Sequence, residues 1–189
     1  MEKLTGLKKI KTAVFISGTG SNLKNLIKFS KIKKSPISID LIISNTGKAK
    51  GLIFAKQFRI KKKIFNFEDI EKNMLSYLNK EQIKFICLAG FMKILSKYFI
   101  KNFDGKIINI HPSLLPKYKG LNTHSRAINN KDKFAGCSVH YVTPKLDSGK
   151  IILQQKIKIL ANDNPASLAK KVLKQEHKLY PDAIMKIFN

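Results

Sequence analysis

Asn109 and His111 stand two residues apart in the run from Lys106 to Pro116, KIINIHPSLLP. The run opens on isoleucines and closes on prolines, so a buried strand should stop near His111 and leave its last side chains at a sheet edge. Residues two apart on a strand share a face, which sets an amide beside an imidazole. That pair can do chemistry: an amide N–H stabilises a developing oxyanion, and an imidazole moves a proton near neutral pH. A histidine on an apolar strand can equally be a hydrogen-bonded core residue. Its place at the carboxyl end of a strand, where open α/β sheets bind ligands, favours the catalytic reading. A third group, Asp147, lies in the polar loop Thr143–Gly149. An aspartate before Ser-Gly is ordinarily a turn residue. Brought back to His111, its carboxylate would raise the imidazole's basicity and fix its tautomer. Neither Ser113 nor a cysteine is paired with a base, so no covalent intermediate is expected.

A second constellation lies near the start. Thr12–Ser17 reads as a short buried strand, followed by Gly18-Thr19-Gly20-Ser21-Asn22 and an apolar period of Leu23, Leu26 and Ile27. Strand, glycine turn and helix in that order form either a tight βα turn without a ligand or an anion site, with Ser21 expected as the N-cap. Leu23 occupies the place of the third glycine of a dinucleotide fingerprint, so a single phosphate fits better than a pyrophosphate. Further on, Gly90–Leu95 brings Phe91, Met92, Lys93, Ile94 and Leu95 to the end of the strand Phe85–Ala89. These large side chains either pack the loop or line a slot for a flat aromatic ligand.

The elements that would position these groups alternate. Strands are expected at Ile37–Ser44, Lys62–Phe65, Ala135–Val142 and Ile151–Ile159, and helices at about Ala49–Phe58, Glu68–Asn79, Thr123–Asn130 and from Asn164-Pro165 onward. Ile70, Met74, Tyr77 and Leu78 have helical spacing and are expected to face the core. The expectation is a single-domain α/β, Rossmann-like fold with a mostly parallel sheet and helices on both faces. Met1–Lys11 reads as a basic lead-in to a domain spanning residues 12–189.

Composition narrows the partners. In 189 residues the formal net charge is +25, but the lysines are spread over every segment and only Arg59 and Arg126 are arginine. Base readout and bidentate phosphate clamps favour arginine, and no aromatic-plus-basic motif appears, so no specific nucleic-acid partner is expected. Cys87 and Cys137 fit neither a zinc pattern nor a disulfide framework, which points to a reducing cytoplasm. His124, His140 and His177 read as structural or supporting, and no pair has metal-site spacing, so no metal is expected. No apolar stretch approaches the roughly 18 residues of a membrane span.

The sequence resembles the phosphoribosylglycinamide formyltransferase family over nearly everything after Lys11. The motifs that carry the likeness are ISGTGSNL at Ile16–Leu23, LAGFM at Leu88–Met92, Asn109–Tyr118, SVHYV at Ser138–Val142, LDSG at Leu146–Gly149 and Gln175-Glu176-His177. The resemblance implies formyl transfer from the co-substrate 10-formyltetrahydrofolate to the amine of phosphoribosylglycinamide, in purine synthesis, by a monomer or homodimer. It places catalysis on Asn109, His111 and Asp147. The substrate phosphate falls on Gly20, Ser21 and Asn22, the ribose near Glu176, and the folate ring against Met92, Lys93, Ile94, Leu95 and Asn109. The N-terminal half would then bind the phosphorylated substrate, and the C-terminal half would bind folate and catalyse. A basic residue usual before the Glu68–Asn79 helix is missing, with Phe67 and Lys72 in its neighbourhood, and Lys93 replaces an arginine.

Alternatives remain. The methionyl-tRNA formyltransferase and formyltetrahydrofolate hydrolase types share the scaffold, but normally carry a further C-terminal RNA-binding or N-terminal regulatory domain. A basic nucleic-acid-binding protein would leave Asn109, His111 and Asp147 without a role.

Overall fold

The computed structural model describes residues 9–65 and 71–189. Among them one seven-stranded sheet runs in the order β3-β2-β1-β4-β5-β6-β7. The strands are β1 (Ile10–Ile16), β2 (Ile37–Ser44), β3 (Lys61–Ile64), β4 (Phe85–Leu88), β5 (Lys106–His111), β6 (Phe134–Tyr141) and β7 (Ile151–Lys158). β1 to β5 pair in parallel, and β6 and β7 add an antiparallel edge.

Both faces of the sheet are covered, as near-continuous apolar strands require. Along β1, Val14 and Ile16 enter one core with Leu23, Leu26, Val172 and Tyr180. Ala13 and Phe15 enter the other with Met74, Leu78 and Phe99. The first core is roofed by α1 (Ser21–Ser30), α5 (Thr123–Asn129) and α6 (Pro165–Phe188), the second by α3 (Glu71–Lys80) and α4 (Lys97–Asn102). Tyr180, fully buried, donates its hydroxyl to the Leu88 carbonyl at 2.9 Å and so ties α6 to the carboxyl end of β4.

The expected order of elements holds, with local differences. β1 begins at Ile10, inside the stretch read as a lead-in, because Ile10 pairs with Ile37 on β2; residues 1–8 lie outside the described residues. The Ala49–Phe58 helix divides into a 3₁₀ turn, Lys50–Leu52, and α2 (Ile53–Phe58), since Gly51 N–H is drawn to the Gly18 carbonyl. Helix α3 is described from Glu71, and Ile70 and Phe67 lie outside the described residues. Met74 and Leu78 are buried as their spacing implied, and Tyr77 is half-buried. Helix α4 was not expected; Ser96 caps it by accepting the Phe99 N–H at 3.0 Å. No helix among the described residues is long and apolar enough to cross a membrane.

Asn164 and Pro165 open α6 as expected. The Asn164 side chain accepts from Ala166 and Ser167 N–H, and Ser167 Oγ accepts from Asn164 N–H, a capping box. Such a cap stabilises a helix by about 1 kcal/mol. Asp163 beside it accepts from Lys171, Leu160 N–H and Ser167. These bonds, Lys171's first, lower its carboxyl from 3.8 to about 2. A depressed folded-state value means stability that is present above the unfolded value and lost as pH falls toward the folded one. Denaturation midpoints measured from pH 5 to 2 should therefore fall less steeply for Asp163→Asn than for the wild type, with the variant less stable at neutral pH; parallel slopes would refute the assignment.

Candidate active site

The parallel order changes direction around β1 and β4, and the crevice beyond their carboxyl ends is where ligands bind in open α/β sheets. Ser17 closes its floor. Its N–H donates to the Gly90 carbonyl, and its hydroxyl donates to Asn45 Oδ1 at 2.6 Å and accepts from Met92 N–H at 2.8 Å.

Along one side Asn109 and His111 project from the end of β5, on the same face as Ile107. Antiparallel pairing sets His140 directly opposite Asn109 and Ser138 opposite His111. Asp147 reaches the cluster from the loop after β6. Its backbone adopts the left-handed conformation, φ 42°, which aspartate tolerates and which turns the side chain inward. The carboxylate is nearly buried, with 8% of the side chain exposed. Oδ2 lies 3.3 Å from His111 Nδ1 and accepts Gly120 N–H at 2.9 Å; Oδ1 lies 3.5 Å from Asn109 Nδ2 and 3.6 Å from His140 Nε2. The structure thus brings together Asn109, His111 and Asp147, and adds His140, which sequence reading had left in support. Strand alternation puts Ser138 and His140 on one face. The register that presents that face to Asn109 is set by pairing between distant segments.

Electrostatics follow from this enclosure. Burial alone would raise the Asp147 carboxyl, but the Gly120 N–H and the positive charge of a protonated His111 hold it below its ordinary value. Burial pushes the His111 imidazole down, opposed by the Tyr118 carbonyl 2.9 Å from Nε2 and by Asp147. The Tyr118 carbonyl and the Asp147 carboxylate both only accept, so a neutral ring donates to one of them and the imidazolium to both. The thiols contribute no nucleophile: both cysteines are buried, and burial raises Cys137 to about 12 and Cys87 still further. Ser113 donates its hydroxyl to the Lys117 carbonyl and has no base.

Gly20, rather than Ser21, is the N-cap of α1; Ser21 is the first helical residue. Gly20 sits at φ 75°, and a Cβ there would meet the Gly51 Cα at 2.7 Å. The crossing of two backbones demands glycine, and it holds the first N–H groups of α1 open for an anion. Asn22, on the first turn, donates from Nδ2 to Glu176 Oε2 at 2.6 Å. Both are buried, and burial raises the Glu176 carboxyl, an effect Asn22 opposes. The buried Asn22 Oδ1 and His177 Nε2 have no hydrogen-bond partner among the described residues.

The remaining expected residues form a cleft. Lys93, Ile94 and Leu95 line it with Leu88, Phe91, Val142 and Leu146, and Asn109, His140 and Asp147 form its polar end. The Met92 side chain is outside that lining and 64% exposed; the residue contributes its backbone N–H to Ser17. Lys72 extends from α3 to 6.0 Å from the Tyr98 ring. A larger cavity of about 330 Å³ under the loop after β5 contains His124 and Tyr118, but none of Asn109, His111 or Asp147. Among the described residues no group of three or more His, Cys, Asp or Glu side chains could hold a metal.

Residues 10–184 match the model of the formyl transferase family. The chain belongs to that family. It is 41% identical over 177 residues to phosphoribosylglycinamide formyltransferase of Haemophilus influenzae, covering 90% of this chain and 84% of that protein. It is 40% identical over 184 residues to the human trifunctional purine biosynthetic protein adenosine-3, covering 94% of this chain but only 18% of that protein's length. The crystal structure of phosphoribosylglycinamide formyltransferase from Brucella melitensis superposes with a TM-score of 0.90 at 40% identity, covering 95% of this chain and 96% of that one.

The anion reading of the first turn is open to direct test. Asn22→Asp places a second carboxylate against Glu176 and at the mouth of the cradle. Calorimetric titration with inorganic phosphate should show roughly tenfold weaker binding than wild type, about 1.4 kcal/mol. Unchanged affinity would remove the anion from this turn.

Proposed function

We propose that the protein transfers the formyl group of 10-formyltetrahydrofolate to the amine of 5′-phosphoribosylglycinamide, giving phosphoribosyl-N-formylglycinamide in purine biosynthesis. The observation that carries this reading is the Asp147 carboxylate, held among Asn109, His111 and His140 at the polar end of a cleft beside a glycine-turn anion cradle. The named relatives support the same reaction.

In this reading the phosphate sits on the backbone of Gly20, Ser21 and Asn22, and Glu176, joined to Asn22, meets the ribose hydroxyls. The flat ring of the folate enters between Lys93–Leu95 and Val142, with Met92 fixing the loop through its N–H. The amine nitrogen attacks the formyl carbon, forming the new C–N bond and placing negative charge on the former carbonyl oxygen. Asn109 donates to that oxygen. The tetrahedral carbon then expels N10 of the folate, and the proton lost by the amine is delivered to N10. His111 and Asp147, 3.3 Å apart, are the pair that carries it. Neither nitrogen of His111 is free, one facing Tyr118 and the other Asp147, so the ring engages substrate by exchanging one of these partners. Lysines scattered over the surface draw in two anionic substrates and are assigned no nucleic-acid partner.

The test is an assay of purified protein with both substrates, following tetrahydrofolate release. Wild type should turn over; absence of formyl transfer would reject the reading. His111→Ala should cut kcat at least about a hundredfold while the KM for the phosphorylated substrate stays within about threefold, because proton transfer and not phosphate binding is lost. Near-normal turnover would remove His111 from catalysis.

A further inference from the structure

His140 is a buried polar side chain for which formyl transfer, as outlined, has no task. The residue is 2% exposed and its two ring nitrogens face different partners. Nδ1 lies 2.8 Å from the Tyr141 carbonyl oxygen, which can only accept, so Nδ1 carries a proton. In the neutral ring Nε2 is then an acceptor, and Asn109 Nδ2 stands 3.2 Å from it. The Asp147 Oδ1 is 3.6 Å from Nε2, beyond a normal hydrogen bond, and 3.5 Å from Asn109 Nδ2. An amide nitrogen with two hydrogens therefore sits between two acceptors, bonded firmly to the imidazole and weakly to the carboxylate.

We propose that His140, neutral with its proton on Nδ1, is a positioning residue that holds the Asn109 amide nitrogen-side toward Asp147, so that the weakly bonded hydrogen is the one offered to the oxyanion. This rests on the formyl-transfer reading above. A proton on Nε2 would demand the opposite amide orientation, with the Asn109 oxygen turned to the ring and set against the anionic Asp147, two acceptors in contact. The same contact fixes the donor before substrate arrives, and preorganised donors are what oxyanion stabilisation requires. His140 holds this place by strand register, opposite Asn109 on β6, so the orienting group is carried by the sheet rather than by a loop.

The tautomer can be read without substrate. Long-range ¹H–¹⁵N correlation spectra of ¹⁵N-labelled protein at neutral pH, with His140→Gln supplying the assignment, should show His140 protonated on Nδ1 and bare on Nε2. A proton on Nε2, in either the other tautomer or the imidazolium, overturns the proposal. Kinetics give a second reading. His140→Leu removes the acceptor and should lower kcat by about tenfold to a hundredfold with both KM values within about threefold. His140→Gln offers an amide oxygen to Asn109 and should recover kcat to within about fivefold of wild type. Wild-type turnover in His140→Leu, or no recovery in a folded His140→Gln, contradicts the proposal. If the wild-type chain itself transfers no formyl group, the functional reading fails while the spectrum still decides how the amide is held.

Discussion

Burial of the Asp147 carboxylate is the constraint on which the site is built. An isolated carboxylate taken out of water costs several kcal/mol, and the cost is offset only by close polar partners. Those partners are His111 and Asn109 at the end of β5 and the Gly120 N–H in the loop between β5 and β6, with His140 on β6 in turn 3.2 Å from Asn109 Nδ2. Satisfying one charge therefore fixes the end of a strand, the register of an antiparallel pair and the path of a connecting loop.

The rest of the fold serves to hold those parts at one edge. Parallel strands β1, β4 and β5 deliver their carboxyl ends together, and Ser17 and Tyr180 lock those ends by hydrogen bonds to Gly90, Met92 and Leu88. The glycine turn before α1 is placed by a different device. Gly20 and Gly51 approach so closely that neither can carry a side chain. That contact anchors the start of α1, and α6 answers it from the far end of the chain by presenting Glu176 to Asn22. The glycine turn and the cleft end up as neighbours because the strands that carry them are neighbours.

Much of this was legible in the residues. The β-branched runs, the glycine turns and the Asn164-Pro165 helix start are local signals, and the strands and helices they imply are present. The pairing of Asn109 with His111 followed from strand alternation alone. What escaped was decided by contacts distant in sequence. Ser21 lost the cap to Gly20 because the backbone crossing with Gly51 forces a left-handed residue there. The Ala49–Phe58 helix broke where Gly51 was drawn to Gly18. His140 looked like a supporting strand residue until the β5–β6 register set it opposite Asn109. Met92 stands outside the lining of the cleft it was expected to join, and its backbone N–H donates to Ser17.

In the proposed reaction His111 and Asp147 act as one unit through their 3.3 Å contact. A double-mutant cycle on kcat/KM with His111→Ala, Asp147→Asn and the pair measures this most directly. If the two groups work together, the double variant should fall no more than about threefold below the worse single variant. Losses that multiply, as for independent groups, would contradict the account.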